Sequence, residues 1–268
     1  MTGGGYQVLA TGPYSAGDIH AQCVTRQRPS SAALDAIIET EWRHRTEQAG
    51  RNGQELFDGR LWRLLDHSMT SSSDPRHKLH LTLGPGRYRD FVGTNLYHSD
   101  LLSNTPWNQF GNPVGTSALV ITRDQRIVLG LRSGKVAFHA GHLHAFGGIL
   151  EQRDCGPDST VDVFASIRRE LREELALTDA NLQDLRCLAL VKDHEIHQPE
   201  LLFAVRVPCT SAELSTAWEQ ADSRAEHQQL VDLEATATGV RQLLDQAPPI
   251  SGVAVAALEI LARSLPQD

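Results

Sequence analysis

Arg169-Glu170-Leu171-Arg172-Glu173-Glu174 is the stretch that decides how the chain reads. Around it, Phe164, Ile167, Leu171 and Leu175 recur every three or four positions, the spacing of one helix face. The periodicity predicts a helix over 159–177, capped at its start by Asp158 or Ser159. On that helix Glu170, Glu173 and Glu174 point the same way. Like charges at such spacing repel by ~0.2–0.5 kcal/mol per pair in isolated helices. A divalent cation among the carboxylates reverses the balance, and oxygen ligands suit magnesium. Arg169 sits one turn before Glu173 and is placed to orient its carboxylate. For a glutamate cluster alone, a solvated charged face is the plainer reading.

The segment upstream makes that plainer reading less economical. Gly147-Gly148-Ile149-Leu150-Glu151 closes a strand-like run over 143–150, and glycines at a strand end let a ligand approach the backbone closely. Before it, 117–122 and 126–131 are β-rich runs separated by Arg123-Asp124-Gln125, which predicts a hairpin. After the carboxylate helix, 185–192 and 201–207 read as strands, 230–233 as a short one, and 240–244 and 253–264 as helices. In the N-terminal part, 6–10 reads as a short strand and 31–47 as a helix with Leu34, Ile37, Ile38 and Trp42 on one face. The segment 78–83 alternates like a half-buried strand, with a turn expected at Gly84-Pro85-Gly86 and a loop over 69–76. Asn112-Pro113-Val114-Gly115 reads as a boundary, giving an N-terminal extension of 1–112 and a second domain of 113–268. The pattern is mixed α/β without repeats.

At these residues the chain resembles the signature of the Nudix hydrolases, G-x5-E-x7-R-E-U-x-E-E-x-G-U, with U aliphatic. The run 169–177 matches its second half, with Ala176 where the signature has its last glycine. The first half departs. The signature places its arginine 14 positions after its glycine; here Gly148 and Arg169 are 21 apart, so about seven residues are inserted, around 152–160. The signature's first glutamate then has no clear counterpart. Leu56-Phe57-Asp58-Gly59, the run 88–95 and Pro113-Val114-Gly115 are similar to the N-terminal region of the branch that hydrolyses UDP-glucose and UDP-galactose, which also has a long connection after its Gly-Gly turn.

The resemblance implies an α/β/α sandwich around a mixed sheet, here with an N-terminal α/β extension. It implies Mg2+, or Mn2+ in its place, held by Glu170, Glu173 and Glu174 against a diphosphate, and cleavage of a UDP-sugar to UMP and a sugar 1-phosphate. The proton acceptor is expected to be a box glutamate, Glu173, or a later one, Glu200 in His197-Gln198-Pro199-Glu200. Arg132, at the end of the hairpin, is expected to clamp a phosphate oxygen. Arg87, Tyr88, Thr94 and Asn95 either read uracil and sugar hydroxyls or staple the N-terminal region to the core. Gly147, Gly148 and Glu151 complete the expected substrate contacts. His139, His142 and His144 precede the glycines, and one of them is expected to line the cleft; Trp218 and Glu226-His227 are assigned to structure.

Composition narrows the field. With 268 residues, 40% hydrophobic and 22% charged, the chain can bury a core. Its net charge of -8 argues against nucleic acid or a membrane surface as partner. Four scattered cysteines and the lack of a long apolar run point to a reducing cytoplasm, as a monomer or homodimer. The rival readings are the same chemistry on ADP-ribose, a dinucleotide or coenzyme A, a non-catalytic nucleotide-binding module, and a structural α/β protein.

Overall fold

The computed structural model describes residues 5–70, 77–134, 138–246 and 248–267. Residues 71–76 of the loop expected over 69–76 lie outside these, and Met69 itself ends a strand.

Two sheets organise the molecule, with α1 (Ala32–Arg51), α2 (Tyr88–Phe91) and α4 (Ser211–Trp218) among the helices beside them. The larger one is built from β1 (Tyr6–Tyr14), β5 (Gly115–Ile121), β6 (Arg126–Arg132), β7 (Leu143–His144), β8 (Phe146–Ile149), β10 (Gln183–Asp193), β11 (Pro199–Arg206) and β12 (His227–Glu234). Along the sheet the order is β1-β10-β11-β5-β6-β12, with β11 parallel to β5 and the other neighbours antiparallel. The hairpin expected from the sequence is present but pairs only at Val120–Val128 and Ile121–Ile127. Beyond those pairs the two strands part, β8 takes up the free edge of β5, and β7 that of β6. Gly147 and Gly148 are thereby held opposite Ser117 and Thr116, at the point where the sheet opens.

One face of this sheet carries α3 (Val163–Leu175), which buries Phe164, Ile167, Leu171 and Leu175 against residues such as Val120, Val128 and Phe203. Each such side chain, fully withdrawn from water, contributes about 1.5–3 kcal/mol. The other face carries α5 (Ala237–Asp245) and α6 (Gly252–Ala262), whose Val253, Ala257, Leu258 and Leu261 cover Leu119, Leu129 and Leu202. This is the expected α/β/α sandwich around a mixed sheet.

The smaller sheet has the order β3-β4-β2-β9, formed by β2 (Ile19–Cys23), β3 (Arg60–Met69), β4 (Leu79–Arg87) and β9 (Thr160–Val161). Both sheets cross residue 112: β1 belongs to the larger sheet, and β9, from the insertion, belongs to the smaller one. Tyr6 also donates from Oη to Glu259 Oε2 at 2.5 Å, tying β1 to α6.

Several local expectations are corrected. The carboxylate helix starts at Val163, not 159, because Thr160 and Val161 pair with Gln22 and Ala21 of β2. Asp162 is its cap, accepting the Phe164 and Ala165 N–H groups at 2.9 and 3.0 Å. Gly84-Pro85-Gly86 is not a turn; β4 runs through it opposite Arg63, Trp62 and Leu61. Pro85 is tolerated because β2 pairs β4 only up to Leu83, leaving an edge where no N–H is required.

α3 ends at Ala176, which has φ 57° and ψ 24° in the left-handed region, the place where the signature carries glycine. A Cβ there costs roughly 1–2 kcal/mol, and glycine gives part of this back as unfolded-chain entropy. Ala176→Gly is therefore expected to stabilise the fold by about 0.5–1 kcal/mol. A urea titration reads this as a higher midpoint at unchanged slope, and a lower midpoint contradicts it.

Candidate active site

α3 delivers its carboxylates to the back of Gly147-Gly148. The Gly147 N–H donates to Glu174 Oε1 at 3.3 Å. A Cβ on Gly148 would lie 2.6 Å from the Glu170 carboxyl carbon, so glycine here is what lets that carboxylate approach the strand. A Cβ on Gly147 would overlap the Thr116 carbonyl oxygen and lie 2.8 Å from Ser117 Cα.

The three glutamates do not share one environment. Glu173 is 38% exposed, Glu170 14%, and Glu174 3%. Burial first, then the neighbouring Glu226 and Glu170, pushes the Glu174 carboxyl well up. Burial also raises Glu170, partly opposed by its hydrogen bond from Arg169. Arg169 Nη2 donates to Glu170 Oε1 at 2.8 Å, and its Nε lies 3.9 Å from Glu173 Oε1. Arg169 is thus closer to Glu170 than to Glu173, the carboxylate it was expected to orient.

The other end of Arg169 answers a question the sequence left open. Its Nη1 donates to Asp154 Oδ1, and Asp154 Oδ2 accepts the Glu151 N–H at 2.9 Å. Asp154 stands six positions after Gly148, where the signature's spacing puts its first glutamate. The extra residues therefore follow Asp154 rather than precede it. A shorter aspartate fills the position of the signature's glutamate, so spacing alone, matched to glutamate, does not reveal it.

In front of the glycines lies a cavity of ≈ 320 Å³. Its charged and polar wall includes Arg132, Glu200, Glu226, Asp193, Gln198 and Thr116. Its apolar wall is the cluster of Tyr88, Phe91, Leu96, Phe138, Ile149 and Ile196. Arg132 and Glu200 are thus brought to one space. Glu200 is 7% exposed, and burial pushes it up to about 7, with the Arg132 guanidinium pulling down and Asp193 pushing up.

Tyr88 lines the cavity, but its three companions do not. Arg87 lies outside, paired with Asp58 at 2.6 Å over a separate open groove that Glu151 also lines. Thr94 and Asn95 are fully buried. Thr94 Oγ1 accepts the Gly111 N–H at 2.9 Å, and Asn95 donates from Nδ2 to Asn112 Oδ1 at 3.0 Å and to the Ile196 carbonyl at 2.9 Å. They hold the wider helical turn Val92–Leu96 to the segment before β5 and to the β10–β11 loop, the stapling alternative that the sequence left open. Of the histidines, His139 and His144 line the cavity. His139 is pushed down to about 4 by burial and by His142 and Arg132. His144 is pushed well down by burial, and its Nδ1 lies 2.6 Å from Ser251 Oγ.

Glu226 and His227, assigned to structure from sequence, sit at the site. Glu226 lines the cavity, and burial raises its carboxyl. His227 is fully buried with Nε2 3.1 Å from Glu174 Oε2, and burial holds it down near 4. At neutral pH it is uncharged, so the contact is a hydrogen bond and not an ion pair. Nothing in the local sequence marks either residue; only the pairing of β12 with β6 brings them opposite α3.

The donor set fits a hard cation. Burial raises Glu170, Glu174 and Glu226 alike, and the Glu226 carboxylate adds to the rise at both Glu170 and Glu174. Among the described residues no three His, Cys, Asp or Glu side chains already close around one point. Glu170 is drawn to Arg169 and Glu174 to His227. No helix among the described residues is long and apolar enough to cross a membrane.

No family model matches the chain. By sequence it is 25% identical over 242 residues to Nudix hydrolase 9 of Arabidopsis thaliana, covering 77% of this chain and 73% of that protein. It is 29% identical over 140 residues to the uridine diphosphate glucose pyrophosphatase NUDT22 of Bos taurus, covering 45% of this chain and 48% of the bovine one. Among solved structures it is similar to DR0079 from Deinococcus radiodurans, with TM-score 0.41 and 15% identity over 55% of this chain and 81% of that one. A C. elegans Ap4A hydrolase complex gives TM-score 0.37 and 15% identity over 56% and 96%. The similarity thus extends well beyond the signature run: one relative is named a Nudix hydrolase and the other a uridine diphosphate glucose pyrophosphatase.

Proposed function

We propose that this chain, which resembles the Nudix hydrolases from its carboxylate helix outward, is a magnesium-dependent Nudix pyrophosphohydrolase that cleaves UDP-glucose or UDP-galactose to UMP and a sugar 1-phosphate. The observation that carries the hydrolase reading is convergence. The carboxylates of α3 sit behind Gly147-Gly148 while Arg132, Glu200 and Glu226 face one cavity in front of them.

Glu170, Glu173 and Glu174 would hold Mg2+, with Mn2+ as substitute. The metal supplies a polarised phosphoryl oxygen and a water of lowered pKa. Arg132 offers a guanidinium to the diphosphate, a bidentate match for phosphate oxygens. Glu200 takes the proton of the attacking water: it is buried, faces the cavity, and is held near neutrality. Arg169 fixes Glu170 and, through Asp154, ties the inserted segment to the helix.

The sugar nucleotide reading rests on the N-terminal likeness and on the partial match to the bovine protein. Tyr88, Phe91 and Leu96, all from 1–112, supply part of the apolar wall, so the extension shapes the pocket for the organic part of the substrate. Asp193, Gln198 and His144 offer hydrogen bonds to hydroxyl or base groups in the same cavity. The four free thiols fit a reducing cytoplasm.

The test is incubation of the purified protein with UDP-glucose, with and without magnesium, resolving UMP and glucose 1-phosphate. Both products, formed only with the metal, are expected. No UMP, but AMP from ADP-ribose under the same conditions, would keep the hydrolase and overturn the sugar nucleotide.

A further inference from the structure

The clearest unassigned device lies under the carboxylate helix. β12 begins with an irregularity: His227 is opposite Arg132, but Gln229 is already opposite Leu131. Such a bulge re-aims a side chain, and here it turns the His227 ring inward beneath α3. The ring has no exposed surface, and its Nε2 lies 3.1 Å from Glu174 Oε2. Phe146, the residue before Gly147, stands edge-on to it with centroids 5.2 Å apart. On the remaining side Gly130 of β6 leaves the ring its room. A Cβ there would lie 2.6 Å from Cε1 and 2.7 Å from Cγ, and would overlap Nδ1.

The protonation pattern follows from partners alone. Nδ1 is buried and has none. In the ionised form that holds a cation, the Glu174 oxygen facing Nε2 only accepts, so the single ring proton then sits on Nε2, donated to Glu174. The Gly147 N–H serves the other oxygen. Both oxygens are therefore held by fixed donors, and the carboxylate cannot turn without leaving a buried donor unpaired.

We propose that His227, seated in the slot left by Gly130, is a positioning residue that locks Glu174 in the orientation in which it receives the divalent cation. The inference rests on the metal-site reading given above. It makes His227 the partner of a ligand, not a ligand itself. Groups of this kind typically change metal affinity 10–100-fold when removed.

The test uses Mn2+ alone as probe, with free ion followed by its electron paramagnetic resonance signal and folding followed by circular dichroism. His227→Leu, which keeps the cavity filled but removes the donor, is expected to weaken Mn2+ binding about 10–100-fold. His227→Gln, whose amide reaches to a similar point, is expected to restore most of it. In a Glu174→Gln background, His227→Leu should cause no further loss, because its target is gone. Gly130→Ala, which displaces the ring without altering it, provides a second route if the leucine variant does not fold, with the same weakening expected. Wild-type affinity in either His227→Leu or Gly130→Ala, or an equal further loss from His227→Leu in the Glu174→Gln background, overturns the proposal. Wild-type protein that fails to bind Mn2+ overturns the metal-site reading itself, and this inference with it.

Discussion

Glu174→Gln is expected to lower turnover by about three orders of magnitude while leaving the fold intact, the loss of several kcal/mol of charge stabilisation that a metal ligand makes possible. The structural part of this expectation is specific. Glu174 is 3% exposed, and burial raises its pKa. A carboxyl raised in the folded state gives stability that is present below its unfolded pKa and lost as pH climbs through the folded one. At neutral pH the native chain therefore bears a penalty that a neutral amide avoids. The glutamine variant should melt at or above the wild-type temperature without metal. It should also lose the shift that Mg2+ gives the wild type, since a ligand stabilises only the state that binds it. Circular dichroism melts with and without Mg2+, run beside the turnover assay, check both halves. Wild-type turnover in the variant would remove Glu174 from the metal site; a collapsed melt would make its role structural.

Glu200→Gln is expected to cost about 10²–10⁴-fold in kcat, the usual contribution of a positioned general base. Glu200 faces the cavity from β11, and burial pushes it up to about 7. A base must be ionised to accept a proton, so kcat/KM should rise with pH and level off once Glu200 is deprotonated. A bound dication favours the charged form and moves that limb to about 7 or below. The glutamine variant should show both the lower rate and the loss of this limb. Measuring kcat/KM from pH 5 to pH 9 separates the possibilities: a slow variant that keeps the limb would place the base elsewhere, with Glu226, also in the cavity and also raised, the next residue to replace.

Much of this was legible in the chain because it depends on local periodicity. The spacing of Phe164, Ile167, Leu171 and Leu175 fixes which face of α3 is buried, and so where Glu170, Glu173 and Glu174 must project. Gly147 and Gly148 were legible for the same reason: close approach admits no Cβ. Arg132 and Glu200 could be placed at strand ends, which is where ligands meet an open sheet.

What escaped depended on distance along the chain. Thr160 and Val161 continue a good helical pattern, yet they pair with β2, some 140 residues earlier, because a sheet edge there offers backbone hydrogen bonds. Thr94 and Asn95 look like recognition residues in a polar run, but the tertiary fold leaves them buried polar groups that staple three segments together. Asp154 was in view at the right spacing from Gly148, and only its contact with Arg169 gave it a role.

Local periodicity is enough to place a carboxylate helix after a Gly-Gly strand end, because helix and strand periods are set by the residues within them. Only the tertiary structure decided that His227 lies beneath that helix, with Glu226 just before it: this follows from the pairing of β12 with β6, and the irregular register at the start of β12 and the missing Cβ at Gly130 make room for the His227 ring. A side chain's neighbours across a sheet are chosen by strand order and register, and no local pattern encodes either.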